Sequence, residues 1–374
     1  MFLNSLKSKV RSQFPQLAGY FKKARSKSWP RNSVVYYTGN RKDGLTPENL
    51  KQGTSGTDSA VIYLSREWAK AGQQVTVFSN CDGLEGDYDG VRYINHYKFN
   101  PYDTFDTLII LSHPYLLPDS VSAKKLCWDW HDVLGSDRVY PPAKIARFDQ
   151  IFAKSKFQRD LLPDIPDAKF TIATNGINQA IFNGEPVEKQ PFKIIYSSRY
   201  YRGLESMLKY GWPLIVDRIP QAELHIYHGW SRRELQSKYD DWRDEMALLF
   251  QQPGVVEHGR VSQEKLIAEK ATASIHYYAC TYPEIDCISV RESAAVGCVP
   301  VTTDFAAFQE KSYCVKVAGE PEAQETQEKI AHRIIELLEN PDELSILSER
   351  FRELVKRETW HEVSKVWLQY FDED

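Results

Sequence analysis

Apolar runs of five or six residues alternate with amphipathic stretches along most of this chain. VVYYTG at 34–39 leads through a long polar loop into GTSGTDSAVIYLSREWAKAG, whose apolar positions recur at helical spacing. Further runs follow at QVTVFS (74–79), TLIILS (107–112), KLCWDW (125–130), QIFAKS (150–155) and FTIAT (170–174), each bounded by polar or turn-forming residues. Short uninterrupted runs of this kind belong to strands buried on both faces, so the pattern predicts a mostly parallel sheet covered by helices. It breaks at TNGINQAIFNGEPVEKQP (174–191), read as a linker. It then resumes with KIIYSS (193–198), ELHIYHG (223–229), VVEHG (255–259), SIHYY (274–278) and CVPVTT (298–303), interleaved with helical patterns at 231–250 and 288–297. Two Rossmann-like α/β domains are the expectation.

Charged amphipathic segments at 322–339 and 341–357 predict two more helices. Thr359, three residues before Glu362, gives a capping-box pattern that opens a last helix through Val363, Val366, Trp367 and Phe371. The predicted organisation is a basic N-terminal segment (1–32), a first domain (33–178), a second domain (179–357) and a terminal helix (358–374).

Composition narrows the function classes. At 374 residues the chain exceeds what one hydrophobic core usually serves. Its 47 basic and 51 acidic residues are dispersed and leave a net charge of −4, which disfavours bulk nucleic-acid binding. The six cysteines form no CxxC pair and read as reduced, packed thiols. No apolar run approaches the roughly 18 residues of a membrane span, and no secretory apolar core opens the chain, so a cytoplasmic protein is expected.

Residues 1–32 break the charge balance. Lys7, Lys9, Arg11, Lys22, Lys23, Arg25, Lys27 and Arg31 stand there with no acidic residue. Phe2, Leu3, Leu6, Val10, Phe14, Leu17 and Phe21 recur at mostly helical spacing, interrupted by Pro15. Such a helix suits an anionic membrane surface, which would place the protein peripherally on a membrane's inner face. A helix packed on its own domain, or a basic tail, is the alternative.

The richest stretch is TYPEIDCISVRESAAVGCVPVTTD (281–304). A helix starting near Asp286, Cys287, Ile288 and Ser289 would offer unpaired amides and a positive dipole end to a phosphate. Glu284, just ahead, can accept hydrogen bonds from sugar hydroxyls, and Glu292, inside the helix, can bind the two hydroxyls of a ribose. Glu284-x7-Glu292 with AAVGCVPVTTD behind it resembles the donor-site signature of the retaining glycosyltransferases of family 4, which have the GT-B fold. The resemblance extends from about residue 34 to the end of the chain, and implies that the first domain binds the acceptor, the second the nucleotide-sugar, and that the terminal helix crosses back to the first domain.

The resemblance implies several roles. Glu284 would touch the donor sugar and Glu292 the nucleotide ribose. In SSRYYRGLESML (197–208), Arg202-Gly203 matches the family's phosphate-neutralising Arg/Lys-Gly element, while Arg199 stands closer to it than the family's usual spacing. Ser55-Gly56-Thr57-Asp58 resembles the Gly-Gly-x-Glu loop of the acceptor side. It has Ser for the first Gly and Asp for Glu, which leaves two readings of Asp58, a cleft residue or a helix cap. His131 in CWDWHDV resembles the family's cleft histidine, a hydrogen-bond donor near the reacting carbon or a structural residue of the sheet rim. TNGIN (174–178) resembles the phrase at the family's domain junction.

Asp87-Tyr88-Asp89 imitates the metal-binding Asp-x-Asp of another glycosyltransferase fold, but its flanking Gly86 and Gly90 read as a turn into a strand. No HExxH or comparable spacing occurs, and no essential metal or other cofactor is expected. The implied activity is retaining transfer from a nucleoside diphosphate sugar, most commonly a UDP-sugar, to a glycan or lipid-linked glycan acceptor. A GT-B epimerase or phosphorylase, or a non-catalytic partner subunit, are the alternatives.

Overall fold

The computed structural model describes residues 15–135, 139–184, 187–231 and 234–373, the first five as backbone alone. Two α/β domains account for it. The first contains an eight-stranded sheet of β1 (Ser33–Tyr37), β2 (Gln74–Ser79), β3 (Gly86–Tyr88), β4 (Val91–Asn95), β5 (Thr104–Leu111), β6 (Ser122–Asp129), β7 (Gln150–Ala153) and β8 (Phe170–Ile172). Their spatial order is β3-β4-β2-β1-β5-β6-β7-β8, parallel except for β3 against β4. The second sheet, β11-β10-β9-β12-β13-β14, is parallel throughout. It is built from β9 (Gln190–Ser197), β10 (Glu223–Tyr227), β11 (Val255–Gly259), β12 (Ala273–Tyr278), β13 (Val299–Thr303) and β14 (Val315–Val317).

The predicted strands recur because their apolar runs are covered on both faces: Val34, Val35, Leu108, Ile109, Ile110, Ile194, Ile195 and Ile275 are all buried. Two elements go beyond the sequence pattern. Asp87-Tyr88-Asp89 belongs to a β3–β4 hairpin, with Asp89 and Gly90 both at positive φ (51° and 81°), as a two-residue primed turn demands. Asp89 pairs with Arg66 at 2.7 Å. The helix expected over 231–250 starts late, at Asp240–Leu249, after a single 3₁₀ turn at Ser237–Tyr239.

The last helix, Trp360–Asp372, starts at a capping Thr359 whose hydroxyl accepts from the Glu362 amide at 3.3 Å. It packs on the first domain: Trp367 stacks on Phe152 with ring centroids 3.4 Å apart and meets Trp68 at 5.2 Å. The Ile177 amide donates to the Glu358 carbonyl and the Trp360 amide to the Ile177 carbonyl, each at 3.0 Å, tying the domain junction to this return.

Each sheet has a topological switch point, where successive crossovers leave in opposite directions and a crevice opens at the carboxyl ends of the strands. In the first sheet it lies between β1 and β5, in the second between β9 and β12. The two rims meet. A methyl group placed on Gly56 would lie 3.4 Å from Ile288 Cδ1, and the Tyr282 hydroxyl donates to Asp132 Oδ1 at 3.1 Å.

Candidate active site

The loops after β9 and β12 flank the second switch point, and each supplies one member of an ion pair. Arg202 follows β9 and Glu284 follows β12. The Arg202 guanidinium donates to Glu284 Oε1, which also accepts from the Tyr278 hydroxyl at 2.6 Å. The same guanidinium lies 4.4 Å from the ring centroid of Tyr282, and its Nε has no protein partner. Gly203 makes this turn feasible. Its φ is +109°, and a Cβ there would stand 2.4 Å from the Ala279 carbonyl oxygen. Arg199 is half-buried, donates to the Tyr201 hydroxyl at 3.0 Å, and with Arg260 puts positive charge near His228.

Glu284 leads into the helix Ile288–Ala295, whose start at Cys287 has no side-chain cap and no acidic residue in its first turn. Its leading amides therefore keep the anion-binding character of a helix amino end. Ser289 turns inward instead, its hydroxyl 2.7 Å from that of Ser197. Asp286 is fully engaged: Arg291 grips both carboxylate oxygens at 2.8 and 3.0 Å, Lys311 lies 2.7 Å away, and the Asn175 amide donates at 2.6 Å. Burial pushes this carboxyl up, but the two cations outweigh it and hold it well below the usual range. Its side chain clamps the domain junction to the helix, leaving only backbone for a ligand. Glu292, 8% exposed, is bound by fully buried Lys270 at 2.8 Å and by Gln263.

Across the cleft, Ser55 caps the helix Gly56–Lys70: its hydroxyl accepts from the Asp58 amide at 3.2 Å and donates to Asp58 Oδ2 at 2.7 Å. Arg41 Nε lies 2.6 Å from Asp58 Oδ1, an ionic contact without the alignment of a hydrogen bond. The Asp58 carboxylate therefore braces the capping Ser55 and holds Arg41, while Gly56 faces the second domain at Ile288 and Thr57 is half-buried beside it. His131 follows β6 and is buried, with Nε2 3.0 Å from Asp129 Oδ2. Asp129 also receives Lys154 at 2.5 Å and the Tyr36 hydroxyl. Burial lowers the His131 pKa against the pull of Asp129, which favours the neutral imidazole. His131 then acts as a hydrogen-bonding imidazole.

The residues singled out in the sequence are thus divided. Arg202, Gly203, Glu284, Cys287 and Ile288 share one corner; Ser55, Gly56, Thr57, Asp58 and His131 lie on the facing rim, joined to that corner through Asp132 and Tyr282. Tyr278, Tyr282, Lys270, Arg291, Lys311, Arg41 and Asp132 were not anticipated. For Lys270 the one available signal is phase: it sits four residues after Leu266 on its helix, a position pointing at the sheet. Among the described residues no three His, Cys, Asp or Glu side chains converge as a metal site would require.

Neither a protein-family profile nor a curated protein sequence matches the chain. Solved structures do. Sucrose-phosphate synthase from Thermosynechococcus elongatus superposes with a TM-score of 0.68 at 14% identity, over 93% of this chain and 98% of its own. WaaG, a glycosyltransferase involved in lipopolysaccharide biosynthesis, gives 0.66 at 13% identity, over 91% of this chain and 100% of its own. The chain has the GT-B fold. HepE from Anabaena, solved in complex with UDP and glucose, agrees at 0.66 and 12% identity, over 90% of this chain and 98% of its own.

Proposed function

We propose that this GT-B chain is a glycosyltransferase that moves a sugar, with retention, from a nucleoside diphosphate sugar to a hydroxyl of a glycan or lipid-linked glycan. The observation that carries it is the meeting of Arg202 and Glu284 from opposite sides of the second switch point, beside the uncapped helix start at Cys287. A diphosphate suits the guanidinium and the amides, a sugar suits the carboxylate, and the nucleoside suits Glu292 further along the helix. UDP is the nucleotide we favour, supported by HepE, whose structures hold UDP or UDP-glucose.

In this mechanism the bond between the donor's anomeric carbon and its phosphate oxygen breaks as the acceptor oxygen bonds to the same face of that carbon. The transition state is oxocarbenium-like. Arg202 and the amides near Cys287 and Ile288 neutralise the departing diphosphate, which takes the acceptor proton. His131, whose one N–H goes to Asp129, offers its Nδ1 as a hydrogen-bond acceptor near the reacting carbon. Because Arg202 and the helix dipole carry the diphosphate charge, the reading invokes no metal.

Peripheral attachment to the inner face of an anionic membrane belongs to the same proposal. Residues 1–14, which carry Phe2, Leu3, Leu6, Val10 and Phe14 and the basic residues Lys7, Lys9 and Arg11, lie outside the described residues. The helix Pro15–Ala24 that follows exposes Tyr20 (72%) and Phe21 (59%) beside Lys23. No described helix is long and apolar enough to cross a membrane. Removing residues 1–24 should abolish co-sedimentation with phosphatidylglycerol vesicles; undiminished binding would contradict the attachment.

The activity is tested by incubating the full chain with UDP-glucose, UDP-N-acetylglucosamine and GDP-mannose and following the anomeric proton by NMR. Consumption of one donor, with release of its nucleoside diphosphate and a product of retained configuration, is expected. Inversion would overturn retention, and release of no nucleotide from any donor would overturn the transferase reading.

A further inference from the structure

Asp129 ends β6 with no exposed surface, and three strands send a side chain to its carboxylate. Lys154, the residue after β7, reaches Oδ1 at 2.5 Å, while Oδ2 accepts from the Tyr36 hydroxyl of β1 and lies 3.0 Å from His131 Nε2. Lys154 is itself fully buried, and its ammonium stands 5.6 Å from the ring centroid of Trp367 on the terminal helix. Buried Gln158 ties the two strand ends together. The Lys154 amide donates to Gln158 Oε1 at 2.7 Å, and Gln158 Nε2 donates to the carbonyls of Trp130 and Asp132, on either side of His131, at 3.1 and 2.8 Å.

A buried ion pair is a weak way to hold a sheet together, because desolvating both charges cancels much of their attraction and apolar side chains of the same volume serve as well. Ile151, Phe152 and Ala153, which precede Lys154 on β7, are apolar and buried. Lys154 departs from that pattern beside a histidine at the rim of the cleft. Burial pushes the Asp129 carboxyl up, but His131 and Lys154 outweigh it and hold it below the usual carboxylate range. An ionised carboxylate only accepts, so a neutral His131 carries its proton on Nε2 and leaves Nδ1 bare. Nδ1 has no hydrogen-bond partner among the described residues and is not one of the buried polar atoms, so it keeps open surface. The charges that face this ring come from three elements. Burial lowers its pKa, Asp129 raises it, and Lys154 and Arg41 lower it; Arg41, which follows β1, is held by Asp58 at 2.6 Å. Tyr36 stays a donor, since burial and Asp129 raise its phenol well above the ordinary value.

Resting on the glycosyltransferase reading, we propose that Lys154 is a positioning residue for the transfer: by pairing with Asp129 Oδ1 it leaves His131 a neutral ring, protonated on Nε2, that presents Nδ1 to a sugar hydroxyl in the cleft. Without a cation at Oδ1, the group left to pair with the Asp129 charge is His131 itself. A ring protonated on both nitrogens donates from Nδ1 and can no longer accept there. Lys154 thus reaches the chemistry through two other residues and touches no substrate. The packing of Trp367 over its ammonium makes the terminal helix part of the same support.

The test is nitrogen NMR of the full chain with isotope-labelled histidine and no donor present, the His131 signals being assigned by their loss in His131→Asn. In the wild type at pH 7 the ring should show one protonated and one bare nitrogen, with the proton on Nε2. A ring protonated on both nitrogens, or on Nδ1 alone, would overturn the proposal before any variant is made. In Lys154→Met the midpoint of ring protonation should rise by at least about one pH unit, a tenfold change in proton affinity, and Lys154→Arg should return it toward the wild-type value. Turnover of the donor that the wild type consumes should follow the ring. The acid limb of kcat should move up in Lys154→Met, with a loss of about tenfold below both midpoints, recovery above them and little change in KM. An unmoved ring, or the same loss of kcat at every pH, would reduce Lys154 to a packing role and overturn the proposal. Absent turnover in the wild type would instead remove the transferase reading, and the ring signals, read without substrate, would still decide whether Lys154 sets the state of His131.

Discussion

Arg202 and Glu284 are bonded to each other, and Tyr278 adds a second hydrogen bond to the same carboxylate oxygen. Both members are proposed to touch the donor. Donor entry must therefore exchange one ion pair for a guanidinium–phosphate and a carboxylate–hydroxyl contact, and free nucleoside diphosphate competes with Glu284 for Arg202.

Removing either partner should have opposite effects on nucleotide binding. Arg202→Ala is expected to cost about 2–5 kcal/mol of transition-state stabilisation, read as kcat/KM, because a charge partner in a closed cleft is lost. Glu284→Gln keeps an acceptor for Tyr278 but releases Arg202. UDP affinity should then rise by about 1 kcal/mol, roughly fivefold, while transfer falls. Weaker UDP binding in Glu284→Gln, by calorimetry, would contradict the competition.

Glu292 has a structural partner as well as a proposed nucleotide contact. Glu292→Ala strands the fully buried Lys270 ammonium and should cost about 3–5 kcal/mol in urea unfolding. The double change Glu292→Met with Lys270→Met removes both charges and should regain most of that stability. Nucleotide binding should stay lost, which separates the two roles; its recovery in the double variant would show that Glu292 acts only through folding.

Asp286 is predicted to be a stability residue. Asp286→Asn leaves Arg291 and Lys311 beside a neutral amide at the domain junction, at a cost of about 3 kcal/mol or more. The urea midpoint should fall further than in Glu284→Gln. Equal midpoints would contradict the clamp.

Buried histidines set the acid limit. Burial lowers His276 well below its ordinary value and lowers His131 as well, so the unfolded chain binds more protons than the folded one once pH falls below about 6.5. Stability is fully present above that pH and declines as pH falls toward the folded values. Unfolding free energy measured between pH 8 and pH 5 should drop on the acid side, and less steeply in His276→Asn, which has no titrating ring. A flat profile over this range would contradict the assignment.

Much of the fold was legible because parallel strands buried on both faces leave an unambiguous apolar run, as in TLIILS and KIIYSS. The β3–β4 hairpin was half visible. Its turn residues showed in Asp89-Gly90, but three residues of β3 carry too little pattern to announce a strand. In the candidate site, Arg202, Glu284 and Glu292 stand out through a motif, whereas the residues that pair with them do not. A charged residue on a helix reads as solvent-facing, and only packing reveals that Lys270 and Arg291 are fully buried among carboxylates. The same limit applies to Asp58, whose pairing with Arg41 depends on where the β1 loop lands.

The central claim is that the corner holding Arg202, Glu284 and Glu292 binds a nucleoside diphosphate, and a calorimetric titration with UDP, GDP, dTDP and ADP tests it most directly. One nucleotide, with UDP favoured, should bind, and its affinity should fall at least tenfold in Arg202→Ala, about 1.4 kcal/mol. Binding of none of the four, or equal affinity in Arg202→Ala, would contradict it.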